Sequence, residues 1–379
     1  MKRIAALIIA AALLLLLPQV NADASDEVSA ELMGSMEDEL SELQSVTPYQ
    51  AADFMEENEI SISEPQGIAS LSPKALFSYI IRAAGDRTAA PLRLLGRMLG
   101  IILLAAVVTG LTDSVSNPRL VRSFEIISVL AGIGIICEPV IEAISSTVSA
   151  LDSGGMFMTA YIPVFTGVAA AGGTVTSAAS YGMIVFCAAE LAVKLSSEII
   201  LPILGMCCAL SIAESVNPRL SLTGMTAAVK KIASVLIGFT MTVFVGLLSL
   251  QSIVGTSADT VAVKAAKFVV SNAVPIVGSA VSDAYTTVRA SLSMLKSGVG
   301  VFGIIALAVM LLPPVIDLAL VNLTMNIGAI TAELFGIKQL NVLMTGICGV
   351  LKICLALLIC FSLIFIISTA IVMSACISV

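Results

Sequence analysis

Apolar and polar positions alternate on a coarse scale along this chain. Long apolar runs occupy about 98–112, 124–150, 156–179, 180–193, 199–213, 232–251, 299–321 and 346–375. A helix needs about 20 apolar residues to cross a hydrocarbon core of roughly 30 Å. The pieces on either side of "KLSSE" (194–198) are short, so they read as two tight spans or as one long, broken one. Region 322–345, with Asn322, Asn326, Glu333 and Lys338, reads equally as a loop or an interfacial helix. The pattern predicts an all-α, polytopic helical membrane protein with about seven spans.

One stretch departs from the pattern. "FVVSNAVPIVGSAVS" lies uncharged between Lys267 and Asp283, yet its flanks are polar at helical spacing. Before it, Thr260, Lys264, Lys267 and Ser271 step by four, three and four; after it, Ser279, Ser282, Thr286, Arg289, Ser293 and Lys296 continue the rhythm. Apolar Val281, Ala284, Tyr285, Val288, Leu292, Leu295 and Val299 take the opposite face. This periodicity predicts an amphipathic helix pair over 257–298. Pro275 and Gly278 form a candidate hinge between the two helices. The candidate polar stripe comprises Lys264, Lys267, Ser271, Ser279, Ser282, Asp283, Thr286, Arg289 and Lys296. A lipid-exposed span cannot carry such a stripe unpartnered. The pair therefore lies on the membrane surface, lines a polar passage, or packs its polar face on a partner subunit.

The N-terminus adds a secretory pattern. "MKRIAALIIAAALLLLLPQVNADA" has a basic start, an apolar run from Ile4 to Leu17, and Val20 and Ala22 as a small-residue cleavage site, which predicts a signal peptide over 1–22. Residues 23–73 hold thirteen acids and no Lys or Arg, predicting a small acidic extracytoplasmic region. From 74 to 97, Lys74, Arg82, Arg87, Arg93 and Arg97 alternate with apolar residues, as in a basic amphipathic interfacial segment. A polytopic membrane domain then fills 98–379. "SVSNPRL" (114–120) and "SVNPRL" (215–220) each separate two apolar stretches. The positive-inside rule puts the basic residues near both echoes on the cytoplasmic side, which favours splitting 180–213 into two spans.

Composition agrees with the membrane class: 58 % hydrophobic and 12 % charged residues, where soluble domains carry about 25 % charged. The chain has no histidine, which removes Ser-His-Asp and Cys-His catalysis and His-ligated metal. Its eight cysteines lie in apolar stretches without a CxxC pair and read as small core residues. No phosphate-binding loop or nucleophile–base set is visible. The expectation is a non-enzyme with no cofactor, no metal and no nucleic-acid partner.

Charges inside apolar runs are candidate functional groups. Glu190 and Lys194 stand at i, i+4 in the order that favours pairing. Asp317 follows Pro313-Pro314, where a broken helix would expose it to a cavity. Glu138 and Glu142 flank Pro139 as if near a span's end, and Lys352 reads as snorkelling from the start of the last span. The small-residue stretch 153–182 suits close helix packing.

The block "SADTVAVKAAKFVVSNAVPIVGSAVSDAYTTVRASLSMLKSGVGVFG" (257–303) resembles the signature region of the stage III sporulation protein AE family. The signal, the acidic region, the "NPRL" pair and the long C-terminal apolar run fit that family's layout, and the resemblance covers roughly 70–379. It implies a multi-pass protein of the mother-cell membrane around the forespore. It further implies a subunit of an oligomeric, secretion-like channel, or feeding tube, needed for endospore development and late forespore gene expression. The implied partners are the other membrane and extracytoplasmic proteins of that complex, with the lipid bilayer. The family supplies no catalytic residues to transfer. An alternative from the residues alone is a stand-alone secondary transporter built from the repeated "NPRL" hairpin.

Overall fold

The computed structural model describes residues 53–54, 56, 73–113, 118–171, 175–217, 222–273 and 278–374. The expected signal peptide, nearly all of the acidic region and Pro275 lie outside these residues. Val46–Val379 forms one compact unit, and Met1–Ser45 is assigned to another, outside the described residues.

All regular structure among the described residues is helical. In order, the elements are α1 Pro73–Arg87, α2 Ala89–Asp113, α3 Pro118–Ala171, α4 Val175–Lys194, a π-helical segment Leu195–Ile200, α5 Leu201–Val216, α6 Thr223–Ala273, α7 Gly278–Leu334 and α8 Lys338–Ser374. Pro73 and Pro118 stand first in their helices, where a missing N–H costs nothing. Among the described residues, six runs are long and apolar enough to cross a membrane by length and composition: Ala89–Gly110, Ser123–Ala171, Val175–Val216, Thr223–Gln251, Leu295–Leu334 and Lys338–Met373. The protein is thus a polytopic helical membrane protein.

The grouping of apolar runs differs from the sequence expectation in three places. Runs 124–150 and 156–179 do not form separate spans; α3 passes through "LDSGG" without interruption and ends at Ala171, and α4 starts at Val175. Runs 180–193 and 199–213 are not split either. The chain stays helical through "KLSSE" by widening to a π turn, where Ser196 Oγ donates to the Ala192 carbonyl at 2.6 Å and Ser197 Oγ to that of Val193 at 2.9 Å. The two "NPRL" junctions are therefore still separated by an even number of helical runs, with no split needed.

Region 322–345 is helical on both sides of a short turn at 335–337. α7 continues to Leu334 and closes on a Schellman cap. Gly336 adopts φ +73°, Ile337 N–H donates to the Ala332 carbonyl at 2.8 Å, and Gly336 N–H to that of Glu333 at 3.0 Å. Ile337 and Ala332, the apolar pair of such a cap, are both buried.

Long-range pairings fix which ends meet. Gln339 Nε2 donates to Glu125 Oε2 at 3.1 Å, Thr223 N–H to Glu214 Oε1 at 3.1 Å, and Lys230 Nζ to the Gly346 carbonyl at 2.7 Å, so the 335–337 turn sits beside the start of α3 and the α5–α6 junction. At the far end Tyr161 donates to the Val299 carbonyl and Tyr181 pairs with Thr369, both at 3.2 Å. A stack of Phe157, Tyr161, Phe165, Tyr181 and Phe365 fills the interior there. Gly303 lets this stack close, because a Cβ there would collide with the Tyr161 ring. Exposed Leu103, Leu104, Ile127, Met156, Met183, Phe239 and Leu250 face outward, as lipid-facing surface does.

Candidate functional site

A charged concavity lies where residues of α1, α2, α3 and α7 meet. It is a half-open groove of about 350 Å³ lined by Arg87, Arg93, Arg97, Glu138, Glu142 and Asp317, with Pro91, Leu94, Pro139 and Val321 among the apolar residues between them. α2 and α7 run side by side, with Thr324 Oγ1 donating to the Pro91 carbonyl at 3.4 Å and Arg87 ion-paired to Asp317. That pair is about one-third exposed on both sides, so water or headgroups screen it. Arg93 turns its Nε–H back to the Ala89 carbonyl at 3.2 Å. Neither Arg93 nor Arg97 forms an ion pair with Glu138 or Glu142 among the described residues. One wall thus carries two arginines at i, i+4 and the facing wall two glutamates at i, i+4. Like charges at that spacing repel, so each wall favours a group of opposite sign. Below the groove, burial pushes up the phenol of Tyr79, which packs on Phe54, and nearby Arg87 opposes the shift.

The sequence pattern gives these groups separate places. It puts Arg93 and Arg97 in the interfacial segment 74–97; they stand in the first turns of α2, inside an apolar run. It puts Glu138 and Glu142 near a span's end, but α3 continues far past them in both directions. Asp317 does line a cavity, although the helix around Pro313-Pro314 is unbroken. The i, i+4 rhythm of Arg93–Arg97 and Glu138–Glu142 was visible; that the two pairs face each other was not.

The remaining candidates lie elsewhere. Glu190 and Lys194 form an ion pair at 3.3 Å on the exposed side of α4. Lys352 is exposed midway along α8 rather than at its start. Lys264 is exposed on α6. Lys267 and Ser271 belong to α6, and Gly278, Ser279, Ser282, Asp283, Thr286 and Arg289 to α7; their side chains are outside the described set. Lys296 corrects the stripe at one end: it is 1 % exposed, drawn into the bundle where α7 packs on α3 and α8. The helix pair is also not a separate unit. Its two halves continue the spans on either side, so α6 runs 22 residues past Gln251 and α7 begins 17 residues before Leu295.

The charges share a level. At about 1.5 Å per residue, Arg97 lies roughly 24 Å from the end of α2, Glu138 about 30 Å from the start of α3, and Asp317 about 25 Å from the end of α7. By the same measure Lys194 is about 33 Å from the end of α5 and Lys352 about 21 Å from the start of α8. Those helix ends all gather at the 335–337 side, so these five groups form a belt about 21–33 Å from it.

Comparison with known proteins adds the family. A family model described as stage III sporulation protein AE matches residues 57–376. The stage III sporulation protein AE of Bacillus subtilis (strain 168) is 24 % identical over 242 residues, which cover 63 % of this chain and 60 % of that protein. The chain thus matches less than two thirds of that relative's length. No solved structure matches. With the family model matched across nearly the whole helical bundle, the chain belongs to the stage III sporulation protein AE family.

Proposed function

We propose that this chain is a membrane subunit of a secretion-like channel assembly between mother cell and forespore, acting with partner proteins and not as an enzyme. The family match over residues 57–376 carries this reading. The long helices support it: the amphipathic continuations of α6 and α7 add about 33 Å and 25 Å of helix beyond their apolar spans. Polar-striped helices of that length suit a partner surface or the lining of a passage. Residues 1–22 act in this reading as a signal peptide, residues 23–73 as an acidic extracytoplasmic region, and Pro275 with Gly278 as the hinge between the two helices.

Single cysteines placed through 260–296 in an otherwise cysteine-free chain, labelled in sporulating cells, test the role. Labelling that follows Lys264, Lys267, Ser271, Ser282, Thr286 and Arg289 from the aqueous side is the expected result. Normal sporulation and normal late forespore gene expression after deletion of the gene overturn the proposal. Solute flux through the purified chain alone in liposomes favours the transporter alternative instead.

A further inference from the structure

We infer that the groove between α1–α2 and α3 binds the headgroup of a zwitterionic phospholipid bearing a primary ammonium, with phosphate against Arg93 and Arg97 and ammonium against Glu138 and Glu142. The observations fit this chemistry together. Arg87 and Asp317 neutralise each other, leaving two cations on one wall and two anions on the facing wall, unbridged across about 350 Å³. That volume is at the lower end of small-ligand sites. A purely anionic headgroup satisfies the arginine wall and is repelled by the glutamates; a ligand with both charges satisfies both walls.

The surroundings select an amphiphile. Leu92 precedes Arg93 on α2 and Ile141 precedes Glu142 on α3, and they are 63 % and 66 % exposed, so large apolar side chains border the charged walls. Ile127 and Leu130, on the same face of α3, are 59 % and 53 % exposed and extend the apolar rim along which acyl chains would lie. The helices α2, α3 and α7 beside the groove include runs apolar enough to span a membrane. Four ionised groups facing acyl chains would each cost about 2.5–3.5 kcal/mol at the bilayer centre. Their place in the belt is therefore explained if a headgroup meets them there.

The test uses the full chain purified in detergent, stripped of lipid and given phosphatidylethanolamine, phosphatidylcholine or phosphatidylglycerol with matched acyl chains. Bound lipid is counted by native mass spectrometry. The expected result is retention of phosphatidylethanolamine at least fivefold above the other two. Phosphatidylcholine has the same charges but cannot donate ammonium hydrogen bonds to the glutamates. A Glu138→Gln/Glu142→Gln variant is expected to shift preference to phosphatidylglycerol, and Arg93→Gln/Arg97→Gln to lose retention of both phosphate headgroups. Soluble phosphoethanolamine competing as well as the lipid would assign the site to a small zwitterion and overturn the lipid reading. Equal retention of the three lipids by the native chain overturns the proposal without recourse to any variant. Because it rests on the groove alone, it stands or falls independently of the channel reading.

Discussion

Gly336 shows how one backbone angle organises this molecule. Its φ of +73° closes α7 and reverses the chain into α8, so a Cβ there is strained although nothing crowds it. Gly336→Ala is expected to cost about 1–2 kcal/mol and Gly336→Asn less, read as thermal midpoints in detergent. Gly303 is constrained by space instead. Gly303→Ala drives a methyl into Tyr161 and is expected to destabilise by about 1–3 kcal/mol, with part of the loss recovered when Tyr161→Leu is added. The Arg87–Asp317 pair is about one-third exposed on both sides, so a double-mutant cycle with Arg87→Gln and Asp317→Asn should give a coupling of about 1 kcal/mol or less. Among these residues Arg87 and Asp317 stood out in the sequence as charges, while nothing in the pattern marked Gly336 or Gly303. The partners of Gly303 and Arg87 lie more than 140 residues away along the chain, and no local pattern names them.

At the scale of elements, apolar runs were legible and their joins were not. "LDSGG" contains an acid and two glycines, which looks like a break, but α3 carries it because Gly154 and Gly155 sit against Phe361 and Val193. A Cβ at Gly154 would approach the Phe361 ring to 2.7 Å, so the glycines serve close helix packing there. "KLSSE" stays helical because the two serine hydroxyls return to backbone carbonyls within the π turn. A π turn holds one residue more than an α turn. Deleting Ser197 removes that extra residue and is expected to restore α geometry with α5 kept in register on α4. A melting midpoint in detergent close to the native one with Ser197 deleted, against a large loss on deleting Ala189 from the regular helix of α4, checks this. In the sequence, Pro275 and Gly278 interrupt two matching polar rhythms. What escaped the periodicity was that both flanking helices are extensions of spans, because an amphipathic pattern carries no information about what its helix joins.

For the whole molecule, helices of 51 to 57 residues are far longer than a bilayer requires. With its belt of charge, the bundle has an apolar part on each side, and one bilayer core of roughly 30 Å covers about 20 residues of each helix. The absence of tryptophan makes a direct check available. Single tryptophans at Leu103 and Met183, on opposite sides of the belt, are expected to differ in quenching by brominated lipid, with strong quenching on one side only. Equal quenching at both would place the charges within the hydrocarbon. The chain by itself determined that the protein is helical, polytopic and of this family, because hydropathy, helical period and a signature block are all local properties. Only the tertiary structure decided which runs fuse, that Lys296 turns inward, and that Arg93 and Arg97 confront Glu138 and Glu142. Those depend on which helices pack side by side, and packing is chosen by the fit of surfaces far apart in sequence.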